Sequence, residues 1–240
     1  MSVAVARVVE LFRYPVKSMA GIASDEAVLG WHGFQGDRRF AFRRIGDSSG
    51  FPWLSASRLP DLVRYRPYGL NGDAEPRPSH VRTPDGVEFP IDSPELQARV
   101  AQAFGHPVEL TYLKHGIFDD APLSIISTAT MAAICGEAGV PLDVRRFRPN
   151  VVVASEELRA FEEDDWVGKR LAFGDPETGP AVSVTTRDPR CMMINLDPET
   201  AIQQPAMMKA AVRMNGNDAG IYAGVVRTGR VAVGQTVYLD

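Results

Sequence analysis

The sequence predicts an α+β protein that is mostly β and barrel-like, and three observations carry that prediction. Short runs rich in Val, Leu, Phe and Tyr recur along the chain, separated by Gly and Pro. Only two segments combine helical spacing with helix-end signals. The strand candidates do not alternate with helices, which argues against a βαβ fold and for a barrel-like arrangement. At 240 residues the chain has room for one large domain or two smaller ones, each with its own core.

The elements follow in order. Val3 to Arg13 reads as a strand that Pro15 ends or places at an edge. Ala27-Val28-Leu29 and Phe40-Ala41-Phe42 are short strand candidates separated by Gly30, Gly33 and Gly36. Gly69 to Ser79 is rich in Gly, Pro and charge and is expected to be an exposed loop. Asp85-Gly86, between Val81 and Phe89, fits a tight hairpin turn. A helix is expected over Pro94 to Phe104, with Ser93 as N-cap, Pro94 at the first position and Gly105 as the stop. Leu96, Val100 and Phe104 form its apolar face. A second helix is expected from about Thr128 to Ala138, capped by Ser127, with Met131, Ile134, Cys135 and Ala138 facing inward. Strand character then returns over Asn150–Ala154, Arg170–Phe173, Ala181–Thr185, Met192–Leu196, Tyr222–Val226 and Arg230–Leu239.

Composition narrows the function classes. Hydrophobic residues make up 45% and charged residues 23%, ordinary for a globular protein. A net charge of −4 gives no global drive for nucleic-acid binding. Two cysteines exclude a disulfide framework and a Cys₄ iron–sulfur or zinc site, and they suit a reducing, cytoplasmic setting. The N-terminus lacks signal-peptide character, and no apolar run approaches membrane-spanning length. GxGxxG opening a βαβ unit, the Walker A loop and HExxH are absent, and the four histidines show no ligand spacing. A nicotinamide, nucleotide or zinc enzyme is therefore not expected.

The basic residues are lopsided, 22 Arg to 4 Lys, and they crowd into a few segments. Arginine suits bidentate contact with phosphate or carboxylate. Tyr14-Pro15-Val16-Lys17-Ser18 places an ammonium and a hydroxyl just past a proline-broken strand, either as an anion-holding pair or as a solvated lysine. Gly36-Asp37-Arg38-Arg39-Phe40 places two arginines at a strand entry, and alternation lets only one of them easily reach a given site. Asp143-Val144-Arg145-Arg146-Phe147-Arg148-Pro149-Asn150 is the densest cluster. Arg148 and Asn150, two apart, could emerge on one face to recognise a phosphate or a heterocycle edge, or the cluster could be surface salt bridges. The helix start at Ser127 and Thr128 offers free N–H groups, for an anion or for simple capping. Cys191 lies in the polar stretch Thr185-Thr186-Arg187-Asp188-Pro189-Arg190-Cys191. Two arginines within four residues would favour its thiolate, the form that attacks electrophiles or binds a soft metal. The alternative is a small buried residue at the start of a strand. Cys135 reads as core.

Taken together, these segments resemble the MOSC family, named after the C-terminal domain of molybdenum cofactor sulfurase, preceded by its companion N-terminal β-barrel domain. The matching pieces are Tyr14–Ser18, Gly36–Phe40, Arg146–Asn150, Trp166-Val167-Gly168, Arg190-Cys191 with Leu196–Thr200, and Val233–Leu239. The resemblance implies a β-barrel-like domain over residues 1–110, whose first 20 residues are free to pack with the other unit, and a MOSC domain over 111–240. It implies a molybdenum cofactor (Mo-pterin) with Cys191 as metal ligand. Lys17, Ser18, Arg38 (or Arg39, since the match is ambiguous by one), Arg148 and Asn150 would hold pterin and phosphate, and Ser127 and Thr128 would supply a phosphate-contacting helix start. It also carries a family-level association with pyridoxal phosphate binding. Met193, Ile194, Asn195 and Ala201 stand where amidoxime-reducing members carry Thr and Gly, as in a bacterial branch of the family. The implied activity is reduction of N-hydroxylated or other N-oxygenated small molecules, with Asp188 either a proton donor or a turn residue before Pro189. Some relatives carry a C-terminal ferredoxin domain, and this chain ends at Asp240. Electrons are therefore expected from an external ferredoxin- or flavin-type protein, with no nucleic-acid or membrane partner. The competing expectations are a non-enzymatic cofactor or sulfur carrier using Cys191, and a cofactor-free thiol enzyme.

Overall fold

The computed structural model describes residues 2–71 and 76–240. The N-terminal part runs through β1 (Val3–Arg13), β2 (Ile22–Ala23), β3 (Glu26–Gly30), β4 (Gly33–Phe34), β5 (Phe40–Arg44), β6 (Arg66–Asn71), β7 (Arg77–Arg82), β8 (Glu88–Pro90), α1 (Pro94–Phe104) and β9 (Val108–Tyr112). The rest follows as β10 (Leu123–Ser127), α2 (Thr128–Ala138), β11 (Val151–Ala154), β12 (Arg170–Phe173), β13 (Ala181–Pro189), α3 (Ala206–Asn215), β14 (Asp218–Arg227), β15 (Gly229–Ala232) and β16 (Thr236–Leu239).

Seven strands close into a barrel in the order β11-β10-β14-β13-β12-β16-β1, and β1 pairs back onto β11. The N-terminal strand is long enough to serve two neighbours. Val3 and Ala4 pair with Leu239 and Tyr238, and Glu10 and Leu11 pair with Val152 and Val151. Irregularities after Ala4 and Val8 bend β1 to follow the barrel wall. β10 and β11 are parallel, so the chain between them crosses over through α2.

Strand alternation sorts the apolar residues into two layers. Leu123, Ile125, Val151 and Val153 point inward with Val8, Leu11, Leu171, Phe173, Val184 and Ile221 to fill the barrel. Ile126, Val152 and Phe12 point outward, beneath the apolar faces of α2 (Met131, Ile134, Cys135) and α3 (Met207, Ala210, Ala211). Cys135 is core, as its sequence position implies. A third cluster belongs mainly to the N-terminal part. Phe40, Phe42, Leu62, Val81, Leu96 and Val108, from the β5–β9 pair, the 3₁₀ turn Pro60–Arg64, the β6–β8 sheet and α1, pack with Val16, Met19 and Leu196. The barrel and the N-terminal layer meet along residues 14–20, 38–40, 146–148 and 190–196.

Both expected helices form with the expected ends. Ser93 accepts from the Leu96 N–H, Ser127 accepts from Thr130, and Gly105 and Gly139 close the helices in the left-handed conformation. Asp85-Gly86 turns between β7 and β8. Three expectations need correction. Met192–Leu196 is not a strand: Met192–Asn195 is a 3₁₀ turn in which the Ile194 N–H returns to the Cys191 carbonyl. Gly69 to Ser79 is not wholly a loop, because Arg66–Asn71 pairs with Arg77–Arg82; residues 72–75 lie outside the described residues. Arg230–Leu239 is two strands, broken by the Gly234 turn. The helix α3 has weak sequence signals: three small or flexible apolar residues on its buried face, and a left-handed Gly216 after its last turn.

Candidate active site

A cavity of about 330 Å³ opens where the barrel meets the N-terminal layer. Lys17, Ser18, Arg38, Arg146, Arg148, Asp188, Arg190, Cys191 and Tyr222 all line it. Three of these residues, Ser18 (φ 68°), Arg38 (φ 45°) and Arg148 (φ 53°), occupy the left-handed region that non-glycine residues usually avoid. Six non-glycine residues do so among the described residues, and half of them are here, a clustering typical of functional sites.

The cations divide into compensated and uncompensated groups. Arg38 is buried, binds Asp37 at 2.6 Å and Asp119, and donates to the Asn150 side chain at 3.0 Å and the Arg148 carbonyl at 3.1 Å. Burial disfavours its charge, but the two carboxylates outweigh burial and hold the proton more firmly than usual. Arg146 pairs with Asp197 at 2.8 Å, and Arg190 with Asp188 at 2.8 Å. Lys17 and Arg148 differ: among the described residues, neither has a carboxylate within salt-bridge distance. Lys17 donates to the Phe118 carbonyl at 2.8 Å, and Arg148 to the Met19 carbonyl at 2.7 Å while lying 4.3 Å over the Tyr14 ring. Burial lowers both pKa values and repulsion from Arg38 adds to the effect, while Asp119, which lines the cavity beside Asp120, pulls both the other way without forming an ion pair with either. Two half-satisfied cations beside a cavity suit a ligand carrying up to two negative charges.

Three aspartates line the cavity, Asp119, Asp120 and Asp188, and the most deeply buried of them is Asp188, at the end of β13. It accepts from Ser124 at 2.7 Å and is almost fully buried. Burial pushes its carboxyl pKa up, against the opposing pull of Arg190 and of hydrogen bonds from Ser124 and Tyr222. It is a strand residue on the cavity wall, not merely a turn residue before Pro189.

Cys191 is exposed and lines the same cavity. The two arginines near it in sequence both have carboxylate partners of their own. Arg190 is committed to Asp188, the Ala219 carbonyl and, at 2.6 Å, the Phe147 carbonyl. Arg187 reaches Asp164 at 3.4 Å and Asp218 at 3.9 Å.

The other sequence candidates go elsewhere. Arg39 donates to the Gly116 carbonyl and does not line the cavity, so of the ambiguous pair Arg38 is the one facing it. Asn150 is fully buried behind the wall: its carbonyl oxygen accepts from Arg38 and from the Ser124 N–H, and its amide donates to the Phe12 carbonyl. It fixes Arg38 and does not share a ligand-facing surface with Arg148. Ser127 and Thr128 are not an anion site. The Glu163 carboxylate already occupies the α2 N-terminus, accepting from the Ser127 N–H at 3.1 Å and its hydroxyl at 3.0 Å, and neither residue lines the cavity. Several lining residues have no individual role in the sequence: Arg146 stands only within its cluster, Tyr222 only as a strand start, and Asp119, Asp120 and Ser124 in no motif.

The donor set bears on what could bind. One thiol faces the cavity, and among the described residues no group of three or more His, Cys, Asp or Glu could hold a metal. A metal at Cys191 would therefore need most of its ligands from a cofactor. The unpaired Lys17 and Arg148 are the groups that a phosphate-bearing cofactor requires. The residues present fit such a molecule.

A strand-rich barrel and a companion β-layer, with a thiol-bearing cavity at their junction, define the class as a two-part β-barrel protein. The family model described as the MOSC domain matches residues 112–238, and that of the MOSC N-terminal beta barrel domain matches residues 5–116. The chain belongs to the MOSC domain family. It is 29% identical over 133 residues to mitochondrial amidoxime reducing component 2 of Bos taurus, covering 50% of this chain and 37% of that protein. It is 27% identical over 195 residues to mitochondrial amidoxime-reducing component 1 of Danio rerio (78% and 49%). It is 25% identical over 236 residues to molybdenum cofactor sulfurase of Caenorhabditis briggsae (85% and 31%). The chain thus spans about a third to a half of the length of these relatives. Its fold is shared with the YUAD protein from Bacillus subtilis, at TM-score 0.54 and 18% identity over 100% of this chain and 98% of that one. Among the described residues, no helix is long and apolar enough to cross a membrane.

Proposed function

We propose that the protein binds a molybdenum cofactor in the Cys191 cavity and reduces N-hydroxylated or similar N-oxygenated compounds, with electrons from a separate ferredoxin- or flavin-type protein. The observation that carries this reading is one exposed thiol sharing a cavity with two cations that lack carboxylate partners. Lys17, Arg148 and Arg38 would hold the anionic and hydrogen-bonding parts of the cofactor, Ser18 would offer a hydroxyl, and Cys191 would ligate the metal. When bound, that group supplies the redox metal and the two-electron change that breaking an N–O bond requires.

The chain's own part is to orient and to manage protons. Converting an N–OH group to N–H consumes two electrons and two protons and releases water. Asp188 is the buried carboxyl group through which a proton would be relayed: burial raises its pKa, the 2.8 Å pair with Arg190 opposes that, and the Ser124 and Tyr222 hydroxyls share its hydrogen-bond network. The two unpaired thiols suit a reducing setting, and we place the protein in the cytoplasm.

A carrier of cofactor or sulfur is the second reading, favoured by the exposure of Cys191 and by the absence of any histidine among the cavity-lining residues. The same absence gives a thiol nucleophile no adjacent imidazole base. The test is turnover of benzamidoxime with reduced viologen, using protein from a host that makes molybdenum cofactor. The expected result is turnover with viologen, none with NADH alone, and NAD(P)H dependence restored by an added flavin or ferredoxin system. Turnover with NADH and no added protein, or no turnover by molybdenum-loaded protein, would contradict the reading. Labile sulfur on Cys191 in molybdenum-free protein would support the carrier.

A further inference from the structure

A second, larger cleft of about 430 Å³ adjoins the first and shares Arg146, Arg148 and Met193 with it. Its other walls are of two kinds. Ile22, Val63, Pro67 and Leu196 are apolar, and Tyr68 presents an aromatic ring braced by His80 at 5.6 Å. The charged lining is all arginine: Arg66, Arg82 and Arg145 join the two shared ones, and no Asp or Glu lines the cleft.

Most of these arginines are paired from outside the cleft. Arg66 binds Glu199 at 2.6 Å, Arg82 binds Glu88 at 2.7 Å, and Arg145 binds Asp143 at 2.7 Å. Arg148 is not paired with a carboxylate. Two buried polar atoms of lining residues also lack partners. The Tyr14 hydroxyl has none, although the residue is 1% exposed, and neither does Nε of Arg146, whose residue is 5% exposed. Both are donors. Burial pushes the Tyr14 pKa up, so its hydroxyl keeps its proton at ordinary pH. Tyr14 is also held in place: a Cβ at position 21 would meet its ring at 2.5 Å, so only glycine lets the ring lie there. Unmet buried donors are costly, and each calls for an acceptor.

We propose that this cleft binds organic anions with a flat, apolar body, such as aromatic carboxylates, and that it is the recognition site for substrates of the thiol cavity. The second half rests on the function proposed above. The carboxylate accepts from Arg146 and the Tyr14 hydroxyl, the two lining residues with unmet donors, while the ring packs between Tyr68 and Leu196. Met193, an adaptable side chain two residues from Cys191, borders both cavities and lets an elongated substrate reach from one into the other.

The test uses 4-carboxybenzamidoxime and its uncharged analogue benzamidoxime. With cofactor-loaded protein, KM for the carboxylated compound is expected to be at least about tenfold lower, the worth of one charge-assisted hydrogen bond. Tyr14→Phe and Tyr68→Ala should each shrink that ratio severalfold. Independently of turnover, ligand-observed NMR on cofactor-free protein should detect 4-carboxybenzamidoxime, and Tyr14→Phe should weaken its binding. Tyr14→Phe removes only a hydroxyl without partners, so the fold survives. Binding without turnover by loaded protein would sink the proposed reductase and keep the cleft. Turnover with equal KM for both compounds, or binding identical in all variants, would sink the cleft and keep the reductase.

Discussion

The thiol cavity and the start of α2 both concentrate groups that attract anions, and the protein treats them in opposite ways. At α2 the positive helix end and the Ser127 N–H and hydroxyl receive an internal carboxylate, Glu163, which is itself fully buried. At the cavity the internal carboxylates reach only part of the charge. Asp37 and Asp119 neutralise Arg38, and Asp188 neutralises Arg190, but Lys17 and Arg148 are left with backbone carbonyls. Local sequence makes an anion site possible in both places. What separates a cap from a binding site is whether the rest of the chain delivers an anion of its own.

The largest effect expected from breaking this comparison is at the thiol. Cys191→Ser should lower reductase activity at least about a hundredfold, because a hydroxyl is a poor ligand for a soft metal centre. Cys135→Ser, in the packed face of α2, should keep activity and cost stability. The pair is read by benzamidoxime kinetics alongside thermal unfolding, and a reversal of the two would move the site.

Next is the cation. Arg148→Ala should reduce retained cofactor, with affinity falling roughly tenfold to a hundredfold for a lost charge-assisted contact. Pterin content after gel filtration reads it. Occupancy equal to wild type would place Arg148 among the structural arginines.

The smallest effect sharpens the other side. Burial raises the Glu163 pKa in the folded protein, despite hydrogen bonds from Ser127 and Thr130 that lower it. The folded state therefore binds the proton more tightly than the unfolded chain. This group's contribution to stability is fully present below the unfolded carboxyl pKa and is lost as pH rises through the raised folded value. Denaturant melts of wild type and Glu163→Gln across that window should show a shallower fall for the variant, with cofactor content unchanged. A variant that loses cofactor would make the α2 start part of the site after all.

How far the sequence reaches follows from the range of the interactions. The long β1, α1 and α2 are legible because strand composition, caps and apolar spacing are local signals. Residues 192–196 mislead because four short apolar residues fit a strand or a tight turn equally well, and the turn is decided by the Ile194 N–H reaching back to Cys191. Within the site, Lys17, Arg38, Arg148 and Cys191 are recognisable by type and order. The fates of Asn150 and Ser127 are not, since Phe12 and Arg38 lie more than 100 residues from Asn150, and Glu163 lies 36 from Ser127. The partners of Arg187 are hidden in part for the same reason, since Asp164 and Asp218 lie 23 and 31 residues from it, whereas Arg190 pairs with its near neighbour Asp188.

The central claim is that Cys191 and the uncompensated cations beside it hold a metal-bearing, phosphate-carrying cofactor. Molybdenum and pterin should be quantified together in wild type, Cys191→Ser and Arg148→Ala, each purified from a host that makes molybdenum cofactor. The account predicts near-equal molybdenum and pterin in wild type, metal depleted in Cys191→Ser, and both depleted in Arg148→Ala. Wild-type protein carrying neither, or all three carrying the same amounts, would contradict it.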